Sequence, residues 1–230
     1  KYDVLDPYGF AAYVNEVQSN NGLEPRYFID DNYAIYGLDS DGTISGTPAR
    51  SYHWQDEIYR SGISRKVGGS VSGGNDNGNY YISAGFDDQE GIVPTSSFKS
   101  GDLRINFNQD LNDKLILEAR MSGYISSMNF AESGDLLGGS NQSFIKNLIS
   151  FRPIITEEFE DLGEDLDLSN PYSWINDFED ISKESRYIGN LALTYKLPVQ
   201  GLRYQIKLGG NIRTKERRRF FGPTTWQGSQ

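Results

Sequence analysis

Six segments of this sequence alternate between apolar and polar residues, and this period-two pattern constrains the fold more than any other feature. One of the two longest, residues 115–126, reads LILEARMSGYIS. Because successive side chains of a β-strand point to opposite faces, each segment predicts a strand with one apolar and one polar face. The six segments are residues 66–73, 80–87, 103–108, 115–126, 189–196 and 202–213.

The connections between these segments are sorted by length. Outer-membrane barrels alternate short turns with longer loops, and their strands face lipid on one side and water on the other, whereas a soluble sandwich has no reason to sort its connections. Because closed barrels have about eight strands or more, the pattern predicts an all-β, antiparallel section of a larger transmembrane β-barrel. The short turns are residues 75–78, 111–113 and 198–201, and the long connections are 88–97, 129–185 and the tail from 214.

Composition narrows the class of function. Lys and Arg total 22 against 32 Asp and Glu, which gives a net charge of -10. Nucleic-acid surfaces need clustered positive charge, so this balance argues against one. The single basic cluster, Lys215 with Arg217, Arg218 and Arg219, is too short to reverse that inference. The chain has no cysteine, and no apolar run approaches the roughly 20 residues of a membrane-spanning helix.

Three segments outside the strands carry helix start signals, at Asp6–Pro7, at Ser143 and at Asn170–Pro171. In the first two, apolar residues follow at helical spacing. These are Phe10, Val14 and Val17 in the first segment, and Phe144, Ile145, Leu148 and Ile149 in the second, which Pro153 ends. Ordered loops on a rigid scaffold are where binding residues collect, so these segments are candidates for function.

Residues 51–62, SYHWQDEIYRSG, contain the only histidine of the chain, His53. A catalytic histidine needs a nucleophile or an acid as partner, and the stretch identifies neither. The alternative is a short amphipathic helix, supported by an i, i+4 ion pair between Asp56 and Arg60 and ended by Gly62. We interpret the stretch as structural.

Three further motifs match known sites poorly. Residues 39–46, DSDGTISG, resemble a calcium loop, but Gly37 and Pro48 then occupy its first and last liganding positions, which favours a simple turn. The acidic run 157–167 could supply a glycosidase carboxylate pair, but nothing fixes two carboxylates at a working separation, so a solvated loop is favoured. Residues 68–78, GGSVSGGNDNG, lack the Lys-Ser/Thr of a P-loop, and their glycines indicate a tight turn. The sequence predicts no cofactor and no metal.

Several longer motifs resemble the SusC/RagA-type TonB-dependent transporters of the outer membrane of Bacteroidetes-type bacteria. They are DVLDPYGFAAYVNE, WQDEIYRSG, SVSGGNDNGNYYISAGFDDQEGIVPTSSFK and LRINFNQDLNDKLILEARMS, followed by FRPIIT, NPYSW and GLRYQIKLGGN. The combination of WQDEI, SVSGGN and DQEGI at these spacings is specific, and the resemblance covers nearly the whole chain.

The resemblance implies a 22-stranded barrel with an N-terminal plug that this chain lacks. It also implies a SusD-like surface lipoprotein as lid, coupling to the TonB complex, and import of an oligosaccharide or peptide without enzymatic change. By family order, the chain covers strands two to seven. Residues 1–63 and 129–185 are then extracellular loops with short helices, 64–128 and 186–214 are barrel strands in outer-membrane lipid, and 215–230 begin the next loop.

Aromatic side chains on the long loops are the predicted substrate contacts, because a ring can stack on a sugar face or pack against a peptide. The candidates are Trp54, Tyr172, Trp174, Phe178 and Trp226. The alternative for each is that it packs its own loop or contacts the lid. A second set, Tyr80, Tyr124, Tyr187, Tyr195 and Tyr204, is assigned to the interfacial girdles of the barrel.

Two other classes stay open at this stage. A soluble all-β glycan-binding module would need the six apolar strand faces to meet in one core. A β-rich glycosidase would need a carboxylate pair at a defined separation. Neither accounts for the length-sorted connections.

Overall fold

A computed structural model of the chain describes residues 1–39, 41–131, 144–155, 170–225 and 228. The chain divides into two compact units. The strand unit is Arg60–Phe130 with Glu179–Arg219, and the loop unit is Lys1–Tyr59, Ala131–Phe178 and Phe220–Gln230.

Helices are few and short within the residues that the structure describes. They are α1 (Pro7–Asn20), α2 (Trp54–Ile58), α3 (Phe144–Ser150) and α4 (Pro171–Asp177). The strands are β1 (Tyr27–Ile29), β2 (Ile35–Leu38), β3 (Ile44–Ser45), β4 (Arg50–Ser51), β5 (Ser64–Asn75), β6 (Gly78–Glu90), β7 (Ser97–Asn112), β8 (Leu115–Asn129), β9 (Ile154–Ile155), β10 (Phe178–Lys196) and β11 (Arg203–Phe221). None of the helices in the described ranges has the length and apolar character needed to cross a membrane.

Six strands form one sheet in the order β11-β10-β8-β7-β6-β5. Each strand of this sheet therefore lies beside the sheet strand that comes next in the chain. The pairs from β5 to β10 are antiparallel, and their register is continuous except for a shift between Asp110 and Asn112 of β7. All six predicted strands are confirmed, and each runs past its predicted limit at one end or at both. The third, for example, was predicted over residues 103–108 and runs from Ser97 to Asn112.

The three short turns predicted from the sequence are confirmed. Two of them use the same device, an asparagine side chain that accepts a backbone N–H two residues ahead. Asn75 Oδ1 accepts from the Asn77 N–H at 2.9 Å, and Asn112 Oδ1 accepts from the Lys114 N–H at 2.9 Å. All three turns lie at one end of the sheet, because β5 and β6, β7 and β8, and β10 and β11 are each joined there.

Register sorts the strand side chains into two faces. One row across five strands reads Val71, Ile82, Ile105, Met121 and Gly189, and the adjacent row on the opposite face reads Ser72, Tyr81, Asn106, Arg120 and Asn190. We name these the apolar face and the polar face. The apolar side chains stay open: Val67 is 70% exposed and Leu208 68%.

The loop unit has its own small core. Asp6 caps α1 as predicted, since its Oδ1 accepts from the Gly9 N–H at 2.7 Å. The core contains Ala11, Tyr27, Ile35 and Ile154, with Phe10 and Val14 packed against it. The predicted third apolar position, Val17, is 40% exposed and lies outside this core.

A turn that includes Asp41 and Gly42 leads from β2 into β3, as the sequence favoured. The Gly42 N–H donates to the Asp39 carbonyl at 2.9 Å, and Gly42 has φ +78°, a conformation that glycine adopts without strain. Asp41 Oδ1 accepts from the Thr43 N–H at 3.2 Å, so this carboxylate holds its own turn.

Helix α2 confirms the structural interpretation of the WQDEI stretch, but two details of the prediction were wrong. The helix ends at Ile58, so Arg60 is not on its face, and Asp56 pairs with Lys1 while the Arg60 guanidinium donates to the Pro94 carbonyl at 3.0 Å. Gly62 does not end the helix. A Cβ there would lie 2.2 Å from the Glu90 carbonyl oxygen, so close strand packing requires the glycine.

Helices α3 and α4 lie where the sequence placed them. Asn170 caps α4, since its Oδ1 accepts from the Tyr172 N–H at 2.9 Å. In α3 the predicted apolar positions Phe144 and Leu148 are buried. The predicted cap Ser143 and the acidic run 157–167 lie outside the described residues.

Candidate functional site

The centre of the polar face combines cationic and carboxamide side chains. Register places Asn79 beside Asn108, and Asn108 beside Glu118. In the adjacent row, Asn106 lies beside Arg120. Two open cavities of about 470 and 370 Å³ share Glu118 and Arg120 in their linings. The described residues contain no cluster of three or more His, Asp or Glu side chains that could hold a metal ion.

Toward the end of the sheet opposite the three short turns, polar side chains of β10 and β11 bind each other on the polar face. Arg213 donates to both carboxylate oxygens of Glu184, from Nε at 2.8 Å and from Nη2 at 3.0 Å. Arg186 Nε donates to Asn211 Oδ1 at 3.5 Å. The Arg213 side chain is 57% exposed, so this pair contributes little to stability.

A tighter cluster surrounds Asp180, which is fully buried. Arg217 donates to its carboxylate from Nε at 2.7 Å and from Nη2 at 2.6 Å, and Arg219 Nε adds a third bond at 3.2 Å. The Arg217 guanidinium also lies 4.7 Å from the centre of the Phe130 ring. This arrangement explains much of the basic run in the sequence, because two of its arginines neutralise one buried carboxylate and Arg218 pairs with Glu216.

The apolar face contains a shallow groove of about 740 Å³. Glycines lie among its lining residues, with larger apolar side chains around them. The glycines include Gly101, Gly123, Gly189 and Gly210, and the larger residues include Leu103, Ile105, Met121, Ile125, Tyr187 and Ile212. The exposed fractions of Met121, Ile125 and Ile212 are 51%, 55% and 67%. Such a surface requires an apolar environment.

One of the five tyrosines assigned to the girdles, Tyr124, lies on the polar face, which does not fit a girdle in contact with lipid. Tyr124 lies between Asp102 and Arg186 in register, on the polar face, because its position in β8 has the parity of Glu118 and Arg120. Tyr80 lies beside Phe107 and Tyr187 beside Gly123, both on the apolar face. Tyr195 lies beside Leu115 on the apolar face. Tyr204 has the same parity in β11 as Gly210 and Ile212, which line the apolar groove. Membership of a girdle stays a prediction for these four.

Trp54, the first predicted substrate contact, lies in an aromatic cluster of the loop unit. Its ring is 4% exposed and stacks on Tyr52 at 4.3 Å, while Phe151 and Tyr172 meet it edge-on, both at 5.6 Å. Its indole Nε1 donates to the Arg152 carbonyl at 2.8 Å. These contacts give Trp54 a packing role in its own loop.

Trp174 and Phe178 form a second aromatic cluster with Phe221. Trp174 meets Phe178 edge-on at 4.4 Å, and Phe221 lies 5.1 Å from Phe178. Trp174 is 1% exposed and Phe178 4%, so both rings are occupied by protein neighbours.

Tyr172 differs from the other described candidates because it is 38% exposed. Its hydroxyl donates to Glu57 Oε2 at 3.2 Å. Burial raises the pKa of Tyr172, and the bond to Glu57 raises it further, so the phenol stays protonated. Trp226 lies outside the described residues. Substrate contact stays a prediction for all five candidates, and of the four described ones Tyr172 alone offers a substantial ring surface.

Polar groups facing the interior of the barrel were expected to contribute to binding, but none was named, although the alternation already assigned Arg104, Arg120 and Lys207 to polar positions. The signal was present in the residues opposite the apolar series.

We expect residues 222–225 to loosen in acid. Asp177 Oδ2 accepts from Thr224 Oγ1 at 2.6 Å and from its N–H at 3.1 Å, and these bonds hold the pKa of Asp177 below its ordinary value. A carboxyl whose pKa falls on folding stabilises the fold above its unfolded pKa and loses this contribution as pH drops through the folded value. The effect is therefore confined to below about pH 4.

Hydrogen exchange of the peptide spanning residues 222–225, corrected for intrinsic rates, measures this effect at pH 6 and pH 3. Wild type should lose protection at pH 3, and Asp177→Asn should show low protection at both values. Equal pH dependence in the two proteins would contradict the assignment.

The strand unit defines a class of protein. Six sequential antiparallel strands, with an apolar face and a polar face both open, have the architecture of a transmembrane β-barrel section. The fold class predicted from the sequence is thereby confirmed, and a solved structure of similar fold supports it.

The chain is similar to known TonB-dependent proteins of the outer membrane. No family model matches the chain. It is 28% identical over 188 residues to TonB-dependent receptor P3 of Formosa agariphila, a match that covers 78% of this chain and 18% of that receptor. It is 23% identical over 230 residues to TonB-dependent receptor SusC of Bacteroides thetaiotaomicron, which covers 91% of this chain and 21% of SusC. Its fold is similar to the RagAB peptide transporter, with a TM-score of 0.54 and 18% identity over 89% of this chain and 22% of that chain.

The chain therefore spans about a fifth of the length of the proteins it matches. The predicted resemblance is confirmed at this level: the chain is similar to one section of a SusC/RagA-type TonB-dependent transporter.

Proposed function

We propose that this chain forms part of the barrel wall of a TonB-dependent outer-membrane transporter that imports an oligosaccharide or a peptide. The observation that carries the proposal is the pair of open faces on one sheet. Lipid would cover the apolar face, and the polar face would line the water-filled interior.

The height of the apolar face fits this role. On β8 the apolar side runs from Ile125 to Leu115, which lie beside Ser185 and Tyr195 of β10, whereas on β7 it ends before Gln109. At roughly 3.3 Å per residue this part of β10 is about 33 Å long. A tilt of about 40° reduces this length to about 25 Å along the membrane normal, the height of the lipid-facing band of outer-membrane barrels.

The edges of the sheet support a larger assembly. Within the described residues β5 and β11 each pair on one side only, which leaves two rows of backbone groups without strand partners. Free edges of this length favour pairing with further strands, and a closed barrel removes them. The soluble glycan-binding alternative is not favoured, because it needs the apolar face to be buried in a core.

The same proposal assigns residues 1–63 and 129–185 to extracellular loops, 64–128 and 186–214 to barrel strands, and 215–230 to the start of the next loop. A SusD-like lipoprotein would close over the extracellular loops, and the TonB complex would supply energy through a plug domain. The protein would move its substrate across the outer membrane without altering it, and so would act as a transporter and not as an enzyme.

Isolation from outer membranes tests the proposal. The protein, tagged and expressed in a Bacteroidetes host, should resist extraction by high salt and carbonate and should require detergent. Its electrophoretic mobility in SDS should change on boiling, because folded barrels resist SDS unfolding at room temperature. A lipoprotein should copurify. A protein released without detergent, with mobility independent of heat, would overturn the assignment.

A further inference from the structure

We infer that the polar face carries a binding surface for an anionic oligosaccharide, centred on Arg104 and Arg120. This inference rests on the proposed function, because it requires the polar face to line the path of a substrate. It goes further by naming a substrate class and the residues that recognise it.

The charge of this surface is opposite to that of the whole chain. The net charge of the chain is -10, yet the two cavities at the centre of the polar face are lined by Arg104, Arg120 and Lys207 against a single carboxylate, Glu118. A channel with low-dielectric walls focuses such a field and attracts ligands of opposite charge.

These cations are not used by the fold. Within the described ranges, Arg104, Arg120 and Lys207 have no ion pair and donate no side-chain hydrogen bond, whereas Arg213, Arg217 and Arg219 farther along β11 all bind carboxylates. Their removal therefore leaves no buried carboxylate unpaired. Their charge is available to a ligand.

The two arginines are spaced for one ligand. Arg104 lies beside Ser122, and Asn106 lies beside Arg120, so the arginines are diagonal neighbours on β7 and β8. Diagonal neighbours in an antiparallel sheet are about 7–8 Å apart, within reach of long side chains. Two guanidinium groups at this separation can bind one carboxylate or two carboxylates on adjacent sugar units.

The remaining groups favour an oligosaccharide over a peptide. Carboxamides of Asn79, Asn106, Asn108 and Asn190 lie on this surface, and Asn108 Oδ1 is shielded and has no hydrogen-bond partner among the described groups. Carboxamides offer both donors and acceptors to sugar hydroxyls. β6, β7, β8 and β10 are each paired on both sides, so a peptide could not add there as a further strand.

Calorimetry on the full-length transporter with its lipoprotein tests the inference, with tetragalacturonate and neutral maltotetraose as probes. We expect tetragalacturonate to bind more tightly, and its affinity to fall with salt. Arg104→Gln and Arg120→Gln should each weaken it on the order of tenfold, and should leave any maltotetraose affinity unchanged. Arg65→Gln is the matched control: Arg65 lies beside Asp88, at a position of β5 with the parity of the apolar face, and its loss should change neither affinity.

The outcomes separate the two proposals. Heat modifiability of every variant shows whether the barrel is intact. An intact barrel that binds both sugars equally, or whose double variant keeps its tetragalacturonate affinity, overturns the anionic-ligand inference alone. If the wild-type protein binds tetraglutamate but not tetragalacturonate, and each arginine variant abolishes that binding, the ligand is an acidic peptide and not an oligosaccharide. Failure of the membrane extraction test would overturn both proposals.

Discussion

Replacing Asp180 with alanine is expected to lower the free energy of unfolding by about 3–5 kcal/mol, the cost of breaking a buried ion pair by removing one partner. Asp180 is fully buried and accepts two bonds from Arg217 and one from Arg219. Without it, two guanidinium groups lose their counter-charge. Urea unfolding of the full-length transporter in lipid vesicles, followed by tryptophan fluorescence, measures the loss.

Glu184→Ala is the matched control for this prediction. Glu184 lies on the same strand and also binds an arginine through two bonds, but its partner Arg213 is 57% exposed. We expect a much smaller loss than for Asp180→Ala, because solvent can replace an exposed partner. Equal effects of the two substitutions would show that burial of Asp180 does not strengthen its pairing. Asp180→Asn should lie between them, since it keeps one acceptor oxygen.

The sequence predicted where strands lie but not where they end, and the reason is physical. Alternation is visible only where one face is apolar. Toward the loop end of the sheet, the row on the apolar side becomes Arg65, Asp88, Lys99, Ser127 and Lys183, so the contrast disappears while the backbone ladder continues. The sixth segment likewise ended at Arg213 in the prediction, whereas β11 runs to Phe221.

The Asp180 cluster was beyond sequence reasoning for a different reason. Asp180 and Arg217 are far apart in the chain and meet only once the pairing of β10 with β11 is fixed. The ion pair predicted between Asp56 and Arg60 was wrong for the opposite reason, because it relied on local spacing alone. Local spacing suggested it, but α2 ends at Ile58, before a second turn forms.

Aromatic residues gave the least specific signal for the site. Trp54, Trp174 and Phe178 are predicted equally by a substrate platform and by a packed loop, because both need large planar side chains. Burial distinguishes the two uses, and burial depends on contacts between separate segments, such as Trp54 with Phe151. The caps at Asp6 and Asn170 were predictable because a cap bonds within its own first turn.

Val71→Arg is expected to lower barrel stability by about 2–4 kcal/mol, the cost of an arginine on the lipid face at the bilayer midplane. Val71 is 54% exposed and belongs to the central apolar row with Ile82, Ile105 and Met121. In water, a charge at so exposed a position would cost almost nothing. A large effect therefore requires lipid around the side chain. Urea titration in phospholipid vesicles measures the change in the free energy of unfolding.

Ser72→Arg tests whether the loss of stability depends on the face that carries the arginine. Ser72 adjoins Val71 on β5, but register places it beside Tyr81 on the polar face. If that face lines a water-filled interior, its arginine stays hydrated and the free energy of unfolding should change by less than about 0.5 kcal/mol. A large loss for Val71→Arg with none for Ser72→Arg would assign lipid to one face and water to the other. Small losses for both would mean that water reaches both faces, as in a sheet outside the membrane. Large losses for both would mean that β5 is covered by protein on its polar side, and the transport path would then have to follow other strands.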